Sequence, residues 1–373
     1  MDLSAIHEVH GSQLKSFRGC RLQYQWQYVD GYSPLIRPAP LEFGTAFHVG
    51  METLYSPATW DWPLLELYRR AKQAFIDTCE LQQREYLDRK EHYRLDPEEE
   101  VDYQERIELG TGMLRLVART MDRKNFTPIA VEREAFAPIL DPLSRTPLVC
   151  PHCGKPFYYG VRPDAVLVDH NGLYWLVDWK TTAMLLRDQI VLELDGQIAT
   201  YLWALVHALG LNFAGFKYVQ VYKGFPKRPR LLMQPRFGRK FSVAHNQRTD
   251  PVIFKQVVRK RDPAAFQLGL YDEYLEWLAE FGPKFFRWFT VYKSTAQLAT
   301  IGADLATQVI EQYIGNPPIY PNSGRMQCER CPFQEPCLER QSGGHYQDVL
   351  DSSYEQLEPY FVRARILREE RIA

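Results

Sequence analysis

The sequence predicts an α/β fold, and three observations carry that prediction. Short apolar, β-prone runs such as Val166-Leu167-Val168 and Leu173-Tyr174-Trp175-Leu176-Val177 read as buried strands. Longer stretches with apolar residues at three-to-four spacing read as helices. The two kinds alternate along the chain, strands bracketing helices, as in a sheet covered by helices. Of the 373 residues, 45% are hydrophobic and 13% aromatic, ample for a large core, and length alone allows two domains. No apolar run approaches the roughly 20 residues of a membrane span. The N-terminus carries no signal-peptide pattern, so a soluble, cytoplasmic protein is expected.

In chain order, residues 11–28 are predicted helical, with Leu14, Phe17, Tyr24 and Tyr28 at helical spacing. A second helix covers 43–55, capped by Thr45. Residues 62–124 are helical and charge-dense, a lobe inserted before the sheet. A strand at 128–136, a hairpin at 158–180, a helix at 185–209 and an alternating strand at 216–222 follow. After a basic stretch come helices over 263–314, a bend at Pro317-Pro318, the last cysteines and a terminal helix at 354–370. The expected organisation is one domain over 1–340, with a helical insertion at about 60–125 and a basic insertion at about 225–290. A C-terminal helical tail spans 341–373.

Chemistry concentrates around the hairpin. Arg162-Pro163-Asp164 stands before its first apolar run, and Asp178-Trp179-Lys180 closes its second. Charged groups ending a buried strand need partners or a task. Two carboxylates and a lysine on neighbouring strands are the minimal kit for metal-assisted phosphodiester hydrolysis. The acids hold Mg²⁺ or Mn²⁺ through oxygen, and the lysine orients the nucleophile or neutralises the transition state. Register decides whether the kit assembles. A two-residue Asn171-Gly172 turn would put Asp164 and Asp178 on opposite faces. A three-residue loop with Gly172 left-handed pairs Asp169 with Leu173 and sets Asp164 across from Asp178, Lys180 on the same face. The second register is expected, because only it builds a metal site.

Other candidates surround this kit. Gln197 and Tyr201, four apart, share one helix face, either beside the metal site or as an ordinary amphipathic pair. His48 and Glu52 are also four apart. The net charge of −1 hides a run of lysines and arginines from Lys223 to Arg261 in which Asp250 is the only acid. Arg228, Arg230, Lys240 and Arg259 belong to that run, interleaved with Phe225, Phe237, Phe241 and Phe254. A solvated surface is one reading; the interleaved aromatics favour a stripe that tracks phosphates and stacks on bases. Among seven cysteines, Cys328-x-x-Cys331 and Cys337 lie on one short loop that Pro332 and Pro336 keep non-helical. Three thiolates call for a fourth, with Cys20 the best candidate; zinc or an iron–sulfur cluster would accept four.

Ser12-x-Leu14-x-x-Phe17-x-x-Cys20, Gly44-Thr45-x-x-His48, Glu132, Pro163-Asp164, Asp178-x-Lys180, Gln197-x-x-x-Tyr201 and the closing Cys328, Cys331 and Cys337 occur in one order. That series resembles the RecB-type PD-(D/E)XK nucleases of the iron–sulfur subgroup, which includes CRISPR-associated exonucleases, the AddB nuclease domain and exonuclease V. The resemblance covers residues 12 to about 340. It implies a restriction-endonuclease-like core, a mixed central sheet flanked by helices, with a cysteine-bound cluster joining the N- and C-terminal segments. It further implies that His48, Asp164 and Asp178 ligate the metal, assisted by the Trp179 carbonyl, with Lys180 as catalytic lysine and Gln197 and Tyr201 near substrate. By the same resemblance Cys20, Cys328, Cys331 and Cys337 hold a [4Fe–4S] cluster. No GxxxxGK[ST] loop is present, so the helicase-like region of AddB has no counterpart.

Cys150-Pro-His-Cys153-Gly has the spacing of a zinc knuckle and lacks its second pair. It could join Cys328 and Cys331 in a zinc ribbon, bind a metal with His152 or a partner chain, or be a plain hairpin tip inherited from a lost site; the last is preferred. The expected activity is a metal-dependent exonuclease on single-stranded DNA ends. A flap or junction endonuclease, or a non-catalytic DNA-binding scaffold, are the alternatives.

Overall fold

A computed structural model describes residues 5–35, 39–89 and 94–358. Strands β1 (His7–His10) and β2 (Tyr32–Pro34) flank the first helical segment, and β3 (Phe126–Val131) and β4 (Ala135–Pro138) follow two long helices. Next come β5 (Phe157–Val161), β6 (Ala165–Asp169), β7 (Tyr174–Thr182) and β8 (Phe213–Tyr222). The hairpin β9 (Leu231–Arg236) and β10 (Arg239–Phe241), then β11 (Phe286–Val291) and β12 (Tyr354–Gln356), complete the set. The main sheet runs β11-β8-β7-β6-β3, with β7 and β8 parallel and its other pairs antiparallel. A second sheet, β1-β5-β4, pairs β1 parallel to β5. This is the α/β, restriction-endonuclease-like architecture expected, a mixed sheet between helical layers.

The central hairpin adopts the register that brings the acids together. The ladder runs from Ala165 opposite Val177 to Val168 opposite Tyr174, and one step further puts Asp164 opposite Asp178. Asp169 N–H donates to Leu173 O at 3.0 Å and Gly172 N–H to Asp169 O at 3.0 Å. Gly172 has φ +76°, a left-handed conformation that glycine adopts without penalty.

Alternation along β7 divides the core. Trp175, Val177 and Trp179 pack with Phe47, Phe75 and Leu114 of the helices Ala39–Leu54, Leu64–Arg89 and Pro97–Thr120. Leu176 packs on the other side with Leu202 and Leu305, from helices Gly196–Leu209 and Thr295–Val309, and with the second sheet. The 60–125 helices therefore cover the sheet rather than standing clear of it. Residues 241–278 hold a smaller core around Phe241, Phe254, Tyr271 and Leu278.

Several expected elements are corrected. The 11–28 helix breaks at Cys20, whose extended backbone (φ −157°, ψ 113°) separates Gly11–Gly19 from Arg21–Tyr24. The second helix begins at Ala39, so Thr45 lies inside it and caps nothing. Only Gly196–Leu209 of the 185–209 helix is a long helix, because Asp195 caps it by accepting from the Gln197 and Ile198 N–H groups at 2.8 and 3.1 Å. The 263–314 region is interrupted by β11, whose β-prone residues pair along β8. Pro336 sits in the first turn of helix Gln334–Gln341, where a missing N–H costs nothing. At the C-terminus, Tyr354–Gln356 is a strand paired with β2, not helix, and residues 359–373 of the expected tail lie outside the described residues.

Candidate active site and metal centres

Asp164 and Asp178 are 7% and 3% exposed, deep enough that their charges must be answered from within the fold. Asp164 Oδ2 accepts the Trp179 N–H at 2.6 Å, and its Oδ1 lies 3.3 Å from His48 Nδ1. His48 projects from helix Ala39–Leu54. Glu132, just past β3, reaches the same imidazole with Oε1 at 3.7 Å, and its other oxygen is 3.0 Å from Arg162 Nε. Ligand atoms of His48, Glu132 and Asp164 all lie within 4.8 Å of one another. Glu132 holds φ +47°, strained for a residue with a Cβ, and its N–H donates to Asp164 O at 3.1 Å.

Lys180 Nζ stands 2.8 Å from both oxygens of Asp178. Its approach to Oδ2 lacks hydrogen-bond geometry, so that buried oxygen has no hydrogen-bond partner. The His48, Glu132 and Asp164 donors fit a hard divalent cation, and this oxygen-rich set suits Mg²⁺ or Mn²⁺; Asp178, expected as a ligand, is not part of that group and is held by Lys180. Trp179 buries its ring against Tyr55 and helps to fix the strand carrying both Asp178 and Lys180.

The site's electrostatics follow from this packing. Burial opposes protonation of His48, yet the Asp164 and Glu132 carboxylates beside it prevail and push its pKa up to about 10. Burial, then the neighbouring Asp164, raise Asp178 to about 7 despite Lys180. Burial would lower Lys180, but Asp178 and Asp164 override it and keep the ammonium charged. Tyr201 is raised by burial and then by the Asp178 charge, while Gln197, one turn earlier on the same helix, is exposed.

The four cysteines named for a cluster also converge. Burial raises the Cys331 thiol, as does the proximity of Cys20, Cys328 and Cys337. The Asn322 N–H lies 3.4 Å from Cys20 Sγ, and Gln341 Nε2 3.6 Å from Cys337 Sγ. Leu22, Trp26, Phe333 and Tyr354 wall the group. Cys150 and Cys153 meet His7 instead of Cys328 and Cys331, so the zinc ribbon is not formed.

Arg228, Arg230, Lys240 and Arg259 are exposed. Of the four phenylalanines expected to stack on bases, Phe241 and Phe254 are instead buried in the small core, and Phe237 is 84% exposed. Glu132 and His7 are the residues whose roles sequence reasoning missed. Glu132 stood in the motif series without a role, and no local pattern marks His7.

The family model described as the PD-(D/E)XK nuclease superfamily matches residues 11–338. No curated protein matches the chain.

Proposed function

The chain belongs to the PD-(D/E)XK nuclease superfamily, a metal-dependent nuclease family, and from that premise we propose that it is an exonuclease degrading single-stranded DNA from an end. Recombination, repair or phage DNA processing is its setting. The observation that carries the catalytic reading is the β6–β7 register, which one step past its ladder brings Asp164 opposite Asp178, with Lys180 bonded to Asp178. Opposite faces for the two acids would have favoured the scaffold alternative.

His48, Glu132, Asp164 and Asp178 would hold the divalent ion, which when bound supplies charge neutralisation at the phosphate and activation of water. Asp164, just before β6, and Asp178, on β7, would hold the ion against the reacting phosphate, and the Trp179 N–H locks the Asp164 rotamer. Lys180 keeps a positive charge where negative charge develops in the transition state. Tyr201 and Gln197 border the lysine and orient the scissile strand. The exposed Arg228, Arg230, Lys240 and Arg259 gather backbone phosphates leading to the site.

The end-directed part of the reading rests on the RecB-type order of motifs. Cys20, Cys328, Cys331 and Cys337 are proposed to carry a [4Fe–4S] cluster. The proximity of Cys20, Cys328 and Cys337 to the Cys331 thiol supports a four-thiolate centre, and the resemblance makes it the iron–sulfur type.

The test is digestion of end-labelled linear and of circular single-stranded DNA with Mg²⁺ or Mn²⁺, by wild type and Asp178→Ala. Loss of linear but not circular substrate, abolished in the variant, is the expected result. Cutting of circles moves the assignment to an endonuclease, and unchanged cleavage by the variant refutes the site.

A further inference from the structure

We propose that His7, Cys150 and Cys153 form a second metal site, of the zinc type, that fastens the N-terminal strand to the tip of the hairpin between β4 and β5. This site lies outside the nuclease centre and the four-cysteine group, and its assignment does not depend on the nuclease reading.

The donor atoms are already gathered. His7 Nδ1 lies 3.4 Å from Cys153 Sγ, and the ligand atoms of His7, Cys150 and Cys153 all fall within 4.8 Å of one another. Tetrahedral zinc, with bonds of about 2.3 Å to sulfur and 2.0–2.1 Å to nitrogen, sets its ligand atoms roughly 3.4–3.8 Å apart. Two thiolates and an imidazole select zinc, whereas the oxygen-rich nuclease site selects magnesium or manganese. The two centres therefore do not compete for one ion.

The hairpin tip has the shape a metal knuckle needs. Cys150 N–H donates to Lys155 O at 2.8 Å, and Gly154 N–H to Cys150 O at 2.9 Å, which closes the turn. Burial raises the Cys150 thiol, and the nearby His152 and Cys153 backbone amides partly offset that rise. Gly154 has φ +69° with nothing within 4 Å of where a Cβ would stand, so backbone conformation rather than crowding calls for glycine there. Cys150 is 1% exposed and Cys153 faces solvent, leaving the fourth coordination position on the outer side.

His7 is held in place from far along the chain. Its strand pairs with β5 in a register that sets His7 opposite Phe157, and its N–H donates to Pro156 O at 2.9 Å. The imidazole lies edge-on to Phe157 at 4.7 Å and to Tyr313 at 5.2 Å, so two rings fix the plane that presents Nδ1 to Cys153. Closing this site joins residues 146 apart in sequence. Because β1 runs directly into the helix Gly11–Gly19 that precedes Cys20, the site also steadies the segment that brings Cys20 to the C-terminal cysteines.

The test measures metal content rather than cleavage. The full chain, purified anaerobically and reconstituted with zinc, is assayed for zinc and iron per chain beside the Cys150→Ser/Cys153→Ser variant. The expected result is one zinc fewer per chain in the variant with iron unchanged, and cobalt substitution of wild type giving thiolate-to-cobalt charge-transfer absorption that the variant lacks. Should the double variant not fold, His7→Ala keeps both thiols and the hairpin, and its zinc dissociation constant is expected to rise at least tenfold. Equal zinc in wild type and variant, no zinc in reconstituted wild type, a Cys150–Cys153 disulfide in place of metal, or an unchanged dissociation constant in His7→Ala would each overturn the proposal.

Discussion

Asp178 is the residue at which activity and stability should part most clearly. Burial and Asp164 hold its pKa at about 7, against 3.8 for a free carboxyl. An acid raised in the fold binds its proton more tightly there. That contribution to stability is therefore fully present below pH 3.8 and is lost as pH rises through about 7. At about 1.4 kcal/mol per pH unit, the ionised side chain costs the metal-free fold on the order of 4 kcal/mol at pH 8, and about half that at pH 5.5. Asp178→Asn keeps the shape and removes the charge, while Lys180 stays charged on either side of the comparison. Unfolding 373 residues releases roughly 0.8 kcal/mol per kelvin, so the gain corresponds to about 5 °C. Melting curves in chelator at pH 8 and pH 5.5 are the assay. Asp178→Asn should melt up to ~5 °C above wild type at pH 8, with a smaller margin at pH 5.5, while cleaving no DNA. A variant that melts below wild type at pH 8, or by a margin indifferent to pH, would refute the electrostatic reasoning.

Mg²⁺ or Mn²⁺ should raise the melting temperature more at pH 8 than at pH 6, because ligation must take the proton that Asp164 and Glu132 hold on His48; calorimetry in buffers of different ionisation enthalpy should register proton release on binding. Glu132→Ala should cut cleavage by about a hundredfold or more, and Glu132→Gly should melt on the order of 1 kcal/mol above the alanine variant because glycine relieves the positive φ. Reversing charge at Arg228, Arg230, Lys240 and Arg259 should flatten the salt dependence of single-strand binding by up to about 3 logarithmic units per decade of salt, read by fluorescence anisotropy across a salt series. Phe237→Ala should weaken binding by roughly 1–3 kcal/mol without a change in melting, whereas Phe241→Ala should cost about 3–5 kcal/mol of stability, and equal behaviour of the two would contradict their different burial.

What could be read from the sequence followed the range over which each signal acts. The facing of Asp164 and Asp178 was legible only in part: the turn Asp169-His170-Asn171-Gly172 allowed two registers, and the demand that the acids share a face chose the one that the ladder adopts. Gln197 and Tyr201 were legible as a face because helical spacing is also local. β11 was not, since its strand character lies in pairing with β8 more than sixty residues earlier, and flanking helical patterns masked it. The buried Phe241 and Phe254 misled for a related reason: within a basic run nothing local tells a small core from a stacking surface. Glu132 escaped because its role comes from a strained turn, and strain on a non-glycine residue leaves no mark in composition. His7 lies beyond any spacing rule, carried to Cys153 by strand pairing alone.

Each acid of the candidate nuclease site has its own cation. Asp164 pairs with His48, Asp178 with Lys180, and Glu132 with Arg162. Without those pairs, like charges about 4 Å apart would repel by on the order of 4 kcal/mol per contact near a protein surface. The three cations are not equivalent. Lysine and arginine have no lone pair to give while charged, and both stay charged across the physiological range; the two acids near Lys180 strengthen that tendency. Histidine alone among them can exchange its proton for a metal bond. On the proposed reading His48, at the meeting point of Asp164 and Glu132, would serve as counter-charge while the chain folds and as ligand once a divalent ion arrives, leaving Lys180 and Arg162 to face a phosphate.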